Sequence, residues 1–232
     1  MYFILNVQRQ PSFILLLCCL TSLLGLATFD VYAQNQVPWQ TWKKNKKITI
    51  LTRPSEHHSL HEIKATLIVN STLSGFISFI SDYQHLPNWL FNAQSATLLK
   101  QISPQENIFI TKFQSIWPVK PREMVIHSVI KQNDDYSLEI EASDASASVE
   151  VSTGFIRMQV IKAHWYIMPH SANEISITYS VIVDAKGNIP KWISKRMALK
   201  GIWATLSNIQ QQLPNSKWQK IKQPYINEPS TQ

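Results

Sequence analysis

Cysteine and glycine are scarce in this sequence. The two cysteines, Cys18 and Cys19, both lie in the apolar N-terminal stretch, and only five glycines occur in 232 residues. If that stretch is cleaved, the remaining chain has no disulfide and no thiolate nucleophile. So few glycines argue against loops that cradle phosphates, and no G-x-S-x-G elbow, H-E-x-x-H pair or dinucleotide fingerprint occurs. Common motifs of hydrolases, metallopeptidases and nucleotide-binding enzymes are therefore missing.

The first 33 residues have the pattern of a secretory signal peptide. Arg9 lies in a short polar segment, residues 13–29 are almost wholly apolar, and Val31-Tyr32-Ala33 supplies the small-residue pattern that signal peptidase cleaves. Gln34 would then begin the mature chain. We expect the protein to be exported by this cleavable signal peptide, either to a periplasm or out of the cell.

Two other interpretations of this stretch exist. The first is an uncleaved membrane anchor, although the apolar run is near the short end of the ~17–25 residues that span a bilayer. The second is a lipoprotein anchored at Cys18 or Cys19, although apolar residues continue beyond those cysteines. The cleavage pattern favours a signal peptide over both.

The chain is basic, with a formal net charge of +7 at pH 7. A basic surface predicts an acidic partner. Nucleic acid is not expected, because the sequence has no recognisable nucleic-acid-binding motif. An anionic membrane surface is the better candidate. The length that remains after cleavage suits one domain, and we expect a monomer.

Alternating patterns predict many strands. Ile63, Ala65, Leu67 and Val69 alternate with polar residues, which is typical of a half-buried strand. The other predicted strands are residues 48–53, 95–103, 106–116, 122–131, 137–142, 155–168 and 175–183.

Two helices are predicted before the C-terminal region. Ser71 or Thr72 would cap a helix whose apolar face continues to Ile80. Trp39 and Trp42 are three residues apart and follow Pro38, a spacing that predicts a short helix near the start of the mature chain.

Residues 190–213 predict one long helix, because Pro190 suits its start and Pro214 ends it. Its broad apolar face consists of Trp192, Ile193, Met197, Leu199, Ile202, Trp203, Leu206, Ile209 and Leu213. Residues 215–232 are polar and are predicted to form a loose tail. The whole pattern indicates an α+β fold, in which a curved antiparallel sheet holds a long helix and leaves a mouth suited to a small apolar ligand.

A set of short motifs resembles the StAR-related lipid-transfer (START) family. Trp117-Pro118 precedes Arg122-Glu123 and a strand, as a Trp-Pro pair precedes Arg-Asp in the bacterial branch of that family. The other similar motifs are Leu86-Pro87-Asn88-Trp89, Gly154-Phe155-Ile156-Arg157, Trp165-Tyr166-Ile167-Met168-Pro169 and Asp184-Ala185-Lys186-Gly187-Asn188-Ile189-Pro190-Lys191-Trp192. The chain departs from the family pattern where Glu123 replaces the usual aspartate and Ala185-Lys186 replaces a Pro-Gly pair.

The resemblance implies a helix-grip fold in residues 34–214, with a curved antiparallel β-sheet wrapped around the C-terminal helix and a hydrophobic tunnel between them. It implies that a lipid or sterol-like molecule binds in the tunnel and is moved between membranes. Together with the signal peptide, this predicts lipid transfer or carriage in the cell envelope, and we expect no cofactor or metal. The residues expected at the tunnel or its gate are Arg157, Trp165, Trp192, Met197, Trp203 and Leu206. The basic residues expected to face an anionic membrane are Lys191, Lys195, Arg196 and Lys200.

Two other functions remain open. An enzyme of the polyketide cyclase/hydrolase type is built on the same helix-grip scaffold, and it would need an ionisable group with a perturbed pKa inside the tunnel. An envelope interaction protein with a vestigial cavity is the third hypothesis.

Arg157 has two interpretations. It could meet the polar end of a bound lipid, or it could pair with Glu123 or Glu139 and hold strands together, since a buried guanidinium needs a partner. The second is favoured. Arg122 and Glu123 are consecutive on a strand, so at most one of them can face the tunnel, and we expect both to make structural contacts.

His57, His58 and His61 form the densest histidine group of the sequence. A metal site needs three or four converging ligands with support around them. This group lies in a polar segment without cysteine or a matching acidic pattern, so we expect no metal there.

Overall fold

The computed structural model describes residues 37–57, 60–117 and 119–229. The predicted signal peptide with its cleavage site lies outside the described residues, as do His58 and Pro118. Within the described ranges, no helix has both the length and the apolar character needed to cross a membrane.

The described chain forms ten strands and three α-helices, with three short 3-10 helices at Ser146–Ser148, Leu213–Asn215 and Lys217–Lys220. The strands are β1 Gln40–Lys44, β2 Ile48–Pro54, β3 His61–Asn70, β4 Ala93–Ser103, β5 Glu106–Phe113, β6 Arg122–Gln132, β7 Leu138–Asp144, β8 Ile156–Arg157, β9 Gln159–Ser171 and β10 Glu174–Asp184. The helices are α1 Leu73–Ile80, α2 Leu86–Trp89 and α3 Lys191–Gln212.

The strands form one curved sheet in the order β1-β2-β3-β10-β9-β7-β6-β5-β4. Neighbouring strands in this order are antiparallel, and the short β8 pairs with β6 in parallel. Register shifts between β4 and β5 and between β9 and β10 mark bulges, which bend and twist strands. The sheet is not closed, so β1 and β4 are its edges. The predicted helix-grip fold is confirmed, with a curved sheet and a long C-terminal helix held against it.

The two halves of α3 have different surroundings. Leu199, Leu206 and Ile209 are buried in the core, as is Leu213 just after the helix. Trp192 in the first turn is 67% exposed. The apolar face predicted for the whole helix therefore packs into the core mainly in its C-terminal half. The N-terminal half lies over a cavity.

The short helix predicted from Trp39 and Trp42 is wrong. Residues 40–44 form β1, which pairs antiparallel with β2 and completes the hydrogen bonds of that strand's outer side. The Trp39 ring instead lies under two cations of the neighbouring strands, with the Arg53 guanidinium carbon 4.3 Å and Lys64 Nζ 5.0 Å from its centroid. Tertiary pairing outweighs the local helical spacing here.

The loose tail predicted for residues 215–232 is also wrong as far as Pro229. The Trp218 ring packs edge-on against Phe79 of α1, with ring centroids 5.3 Å apart, and Ile226 is buried. The Glu228 carboxylate accepts hydrogen bonds from the backbone N–H groups of Leu73 and Ser74, at 3.1 and 2.7 Å. The segment is therefore part of the folded domain, because it covers α1 and satisfies the free N–H groups at its first turn.

Candidate functional site

A cavity of about 470 Å³ lies between the sheet and the N-terminal half of α3. This volume is within the range of about 300–1,000 Å³ that is usual for small-molecule sites. The sheet contributes the side chains of Ile63 on β3 and of Val181 and Val183 on β10, and α3 contributes Met197 and Ile202. The inner walls are therefore apolar.

A second cavity of about 180 Å³ adjoins the first. The two share Tyr179, Ala198 and Ile202 as walls, so together they run along the underside of α3. The second cavity is also lined by Leu90, Phe91, Phe113, Trp165, Gly201, Thr205 and Leu206. Its position extends the apolar space toward the centre of the sheet.

Gly201 allows a close contact at this second cavity. A Cβ atom at Gly201 would lie 3.2 Å from Cδ1 of Phe91, tighter than an ordinary contact. The Phe91 backbone N–H also donates to Thr205 Oγ1 at 3.1 Å. The segment after α2 is thus held tightly against the middle of α3.

Trp165 and Tyr179 form the part of the second cavity's wall that β9 and β10 contribute. They are register partners on β9 and β10, and their rings lie 4.2 Å apart, centroid to centroid. Burial raises the pKa of the Tyr179 hydroxyl. This hydroxyl makes no hydrogen bond with any described residue, which leaves it as a polar group available to a ligand.

One end of the larger cavity is cationic. Its lining includes four basic side chains, which we call the cationic rim: Arg122, Lys186, Lys191 and Lys195. Asp184 is the acidic residue of this lining, and it already contacts Lys186, with Nζ 2.9 Å from Oδ2 and the backbone N–H donating to Oδ1 at 2.8 Å. The rim therefore carries more positive than negative charge.

His61 lines the same end of the cavity. Its burial lowers the pKa of the imidazole below the usual value, and the positive charge of Lys195 lowers it further. At neutral pH His61 is therefore uncharged and adds no cation to the rim. Of the two described members of the histidine group considered for a metal, His61 reaches the cavity, whereas His57 lies in an exposed loop.

Arg157 does not line either cavity. Its Nε and Nη2 donate to Oε1 of Glu123 at 3.1 and 2.7 Å, and Nη1 and Nη2 also donate to the carbonyl oxygens of Ser146, Val149 and Glu150. The ion-pair interpretation of Arg157 is confirmed, with Glu123 rather than Glu139 as partner. The strand parity that linked Arg157 with Trp165 is interrupted at Met158, between β8 and β9.

The structure divides the other predicted residues into two groups. Trp165, Met197 and Leu206 line the cavities, as do Lys191 and Lys195. Trp192, Trp203, Arg196 and Lys200 do not line them. The Trp203 ring packs under the Lys43 ammonium group, which lies 3.9 Å from its centroid.

Arg122 and Tyr179 are among the residues of the site that sequence reasoning missed. Arg122 was expected to make structural contacts only, yet it lines the cavity as well as donating to three carbonyl groups. Tyr179 was part of an alternating strand pattern without a role. The alternation of β10 could have placed Tyr179 on the same face as Val181 and Val183, but the pattern does not show which face holds a cavity.

A cluster of possible metal ligands lies on the neighbouring strands β7 and β9. Glu139, Glu141 and His164 offer ligand atoms within 4.8 Å of one another. His164 Nε2 lies 3.3 Å from Oε2 of Glu139 and 3.5 Å from Oε1 of Glu141, so the imidazole is already engaged by both carboxylates. The cluster lies outside the lining of the two cavities.

The chain belongs to the START domain family, whose model matches residues 29–219. The solved STAR-related lipid transfer protein (fragment 25–204) from Xanthomonas axonopodis has a similar fold, with a TM-score of 0.68 and 19% identity, covering 75% of this chain and 98% of that one. Family membership and the apolar cavity together support the binding of a lipid or another hydrophobic molecule.

Two curated relatives match parts of the chain. An uncharacterized protein of Pseudomonas aeruginosa is 23% identical over 121 residues, which are 52% of this chain and 59% of that protein. An acetyl-coenzyme A thioesterase of Mus musculus is 25% identical over 164 residues, which are 66% of this chain and 29% of that protein. The chain thus spans less than two thirds of the length of either relative.

Proposed function

We propose that this protein is an exported lipid carrier of the cell envelope, which holds one hydrophobic molecule beneath α3 and exchanges it at a membrane surface. The observation that carries the proposal is the apolar cavity between α3 and the sheet. The signal-peptide pattern of residues 1–33 supports the export part of it.

The N-terminal half of α3 would act as the gate. Three hydrogen bonds tie the C-terminal half to the segment around α2: Thr205 accepts from Phe91, and Asn208 and Gln212 donate to the carbonyl groups of Trp89 and Asn88. Within the described residues, no side chain from Lys191 to Ile202 makes a hydrogen bond or an ion pair with the sheet. Segments held by few such contacts open at low cost, and this half can move without breaking the anchored half.

An enzyme on the same scaffold is the second candidate, and the mouse thioesterase relative is the observation in its favour. A hydrolase would need a nucleophile joined to a base, or a base positioned next to the reacting group. Ser194, His61 and Asp184 line the cavity, but no hydrogen bond joins any two of these side chains. The lining therefore favours binding over hydrolysis.

Native mass spectrometry of the protein purified from the envelope of an expressing cell tests the carrier proposal. We expect a mass that corresponds to a chain beginning at Gln34 with one lipid bound. Ala198 lies between the two cavities, so an Ala198→Trp variant should fill the space and lose the lipid. Lys200→Trp introduces the same side chain on the same helix outside the cavity lining and should keep it.

Three outcomes would contradict parts of this proposal. A folded protein that takes up no molecule from a total lipid extract would exclude the carrier function. A mass that retains residues 1–33 would exclude the cleaved signal peptide. Turnover of acyl thioesters by the wild-type protein, abolished by Ala198→Trp, would favour the enzyme.

A further inference from the structure

We propose that the ligand of this cavity is an anionic amphiphile, whose apolar chain lies beneath α3 and whose carboxylate or phosphate group meets the cationic rim. The inference rests on the proposed function, since it names the chemical class of the molecule held in the same cavity. It excludes neutral lipids as preferred ligands.

Arg122 is the central observation. It is 7% exposed and lines the cavity, yet its guanidinium contacts no carboxylate among the described residues. Its hydrogen bonds go to the carbonyl oxygens of Ala185, Lys120 and Lys186, at 3.0, 2.6 and 3.2 Å. Three of the five N–H donors of a guanidinium are thereby used, and its charge is not neutralised.

A buried charge is costly unless an opposite charge compensates it. The three carbonyl groups orient Arg122 but supply only dipoles. An anionic group on the ligand would supply the missing charge, and guanidinium groups bind carboxylates and phosphates through paired hydrogen bonds. Arg122 is therefore held in place as half of an ion pair whose other half does not occur among the described residues.

Lys191 and Lys195 extend the same charge along the cavity. They are four residues apart on α3, so their side chains lie on one face of the helix. Neither makes an ion pair within the described part of the chain. Asp184 cannot neutralise them, because its carboxylate is engaged by Lys186.

The opposite end of the space is apolar and fits the remainder of such a molecule. Beyond Val181 and Ile202 the walls are the Trp165 and Tyr179 rings and Leu206, which is 1% exposed. A chain lying from the rim toward Trp165 would cover these surfaces. This division into one charged and one apolar end is the property that defines an amphiphile.

Binding of matched probes to the delipidated full-length mature protein tests the inference. The probes are palmitate, hexadecyl phosphate and hexadecanol, which share a chain and differ in the head group. We expect the two anions to bind about 10- to 100-fold more tightly than the alcohol, as one charge-assisted hydrogen bond would produce. The Lys191→Gln/Lys195→Gln double variant should lose most of this preference.

Two further variants make the test specific. Arg122→Gln should remove the preference for anions over the alcohol, provided that circular dichroism shows an unchanged fold. If Arg122→Gln does not fold, the Lys191→Gln/Lys195→Gln double variant still tests the inference. Lys100→Gln removes an exposed lysine of β4 that lines neither cavity, and it should keep the preference.

The outcomes separate this inference from the proposed function. Equal binding of palmitate and hexadecanol would overturn the inference and leave the carrier function standing. Failure of all three probes to bind would overturn both. A preference for anions that survives in every rim variant would overturn the assignment of the head group to the rim. Tighter binding of hexadecyl phosphate than of both other probes, lost in the rim variants, would support the inference and identify phosphate as the head group.

Discussion

Two consecutive charged residues of β6, Arg122 and Glu123, lie in different surroundings. Arg122 lines the cavity, whereas Glu123 is 0% exposed and faces Arg157 and the loop after β7. Oε1 of Glu123 accepts hydrogen bonds from the Ser152 backbone N–H at 2.9 Å and from Nε and Nη2 of Arg157 at 3.1 and 2.7 Å. Glu123 thus fixes β8 and this loop to β6.

Glu123→Gln should destabilise the domain. The substitution leaves the buried Arg157 charge without its partner, which costs about 3–5 kcal/mol in comparable buried pairs. Because three carbonyl groups still accept from Arg157, we expect a value near the lower end of that range. Urea unfolding at pH 7 measures it. Glu174→Gln breaks an exposed pair with Lys47 and should cost less than about 1 kcal/mol.

The same pair predicts how stability depends on pH. Burial alone would raise the pKa of Glu123, but the hydrogen bonds from Ser152 and Arg157 and the charge of Arg157 outweigh it and hold the pKa below its usual value. A lowered pKa in the folded state gives stability that is complete above the unfolded value of about 4.3 and is lost as pH falls through the folded value. The difference in the free energy of unfolding between wild type and Glu123→Gln should therefore shrink below about pH 4. A difference that stays constant down to pH 2 would contradict a lowered pKa of Glu123.

At the scale of elements, the C-terminal segment completes the N-terminus of α1. Thr72 Oγ1 accepts from the Gly75 N–H at 2.9 Å, while Glu228 accepts from Leu73 and Ser74. A carboxylate at this position satisfies two N–H groups and interacts favourably with the positive end of the helix dipole. A segment 155 residues away in sequence thus acts as part of the helix cap.

Glu228→Ala should lower the free energy of unfolding by about 1 kcal/mol, the usual effect of removing a helix cap. Thermal unfolding followed by circular dichroism checks this value. Glu56→Ala changes an exposed loop glutamate and should have no measurable effect. Deletion of residues 215–232 should lower the free energy of unfolding several times more than Glu228→Ala does, because it also removes the contact of Trp218 with Phe79. A truncated protein as stable as wild type would show that the segment does not stabilise the fold.

These elements show which features could be predicted from the sequence. The strands β3 and β10 and the helix α3 follow from period and proline positions, which are local signals. β1 and the tail were predicted wrongly, because each is defined by partners elsewhere in the chain. The same holds for the site: residues on α3 were placed from one helix face, but the cavity role of Arg122 depends on Ala185 and Lys186, which a linear pattern does not bring together.

At the scale of the whole molecule, exposed tryptophans and free cations occur around the same end of the cavity. Trp117 is 91% exposed and Trp192 is 67% exposed. Trp117 lies two residues before Val119, and Trp192 directly follows Lys191; Val119 and Lys191 both line the cavity. Tryptophan is enriched where proteins meet the membrane–water interface, and lysine and arginine are attracted to anionic lipid. We expect this end of the molecule to face the membrane when ligand is exchanged.

Vesicle sedimentation with neutral and anionic lipid tests that orientation. The Arg196→Gln/Lys200→Gln double variant should weaken binding to anionic vesicles by about 2 kcal/mol, since each basic residue near such a surface contributes about 1 kcal/mol. Neither residue lines the cavity, so ligand binding without membranes should not change. Lys100→Gln/Lys131→Gln removes the same charge from exposed positions on β4 and β6 and should bind as wild type does.

Trp117→Ala should weaken binding to vesicles even at high salt, because the contribution of the Trp117 ring is apolar and is not screened by salt. Binding by the wild-type protein that is indifferent to both anionic lipid and salt would rule out this membrane contact.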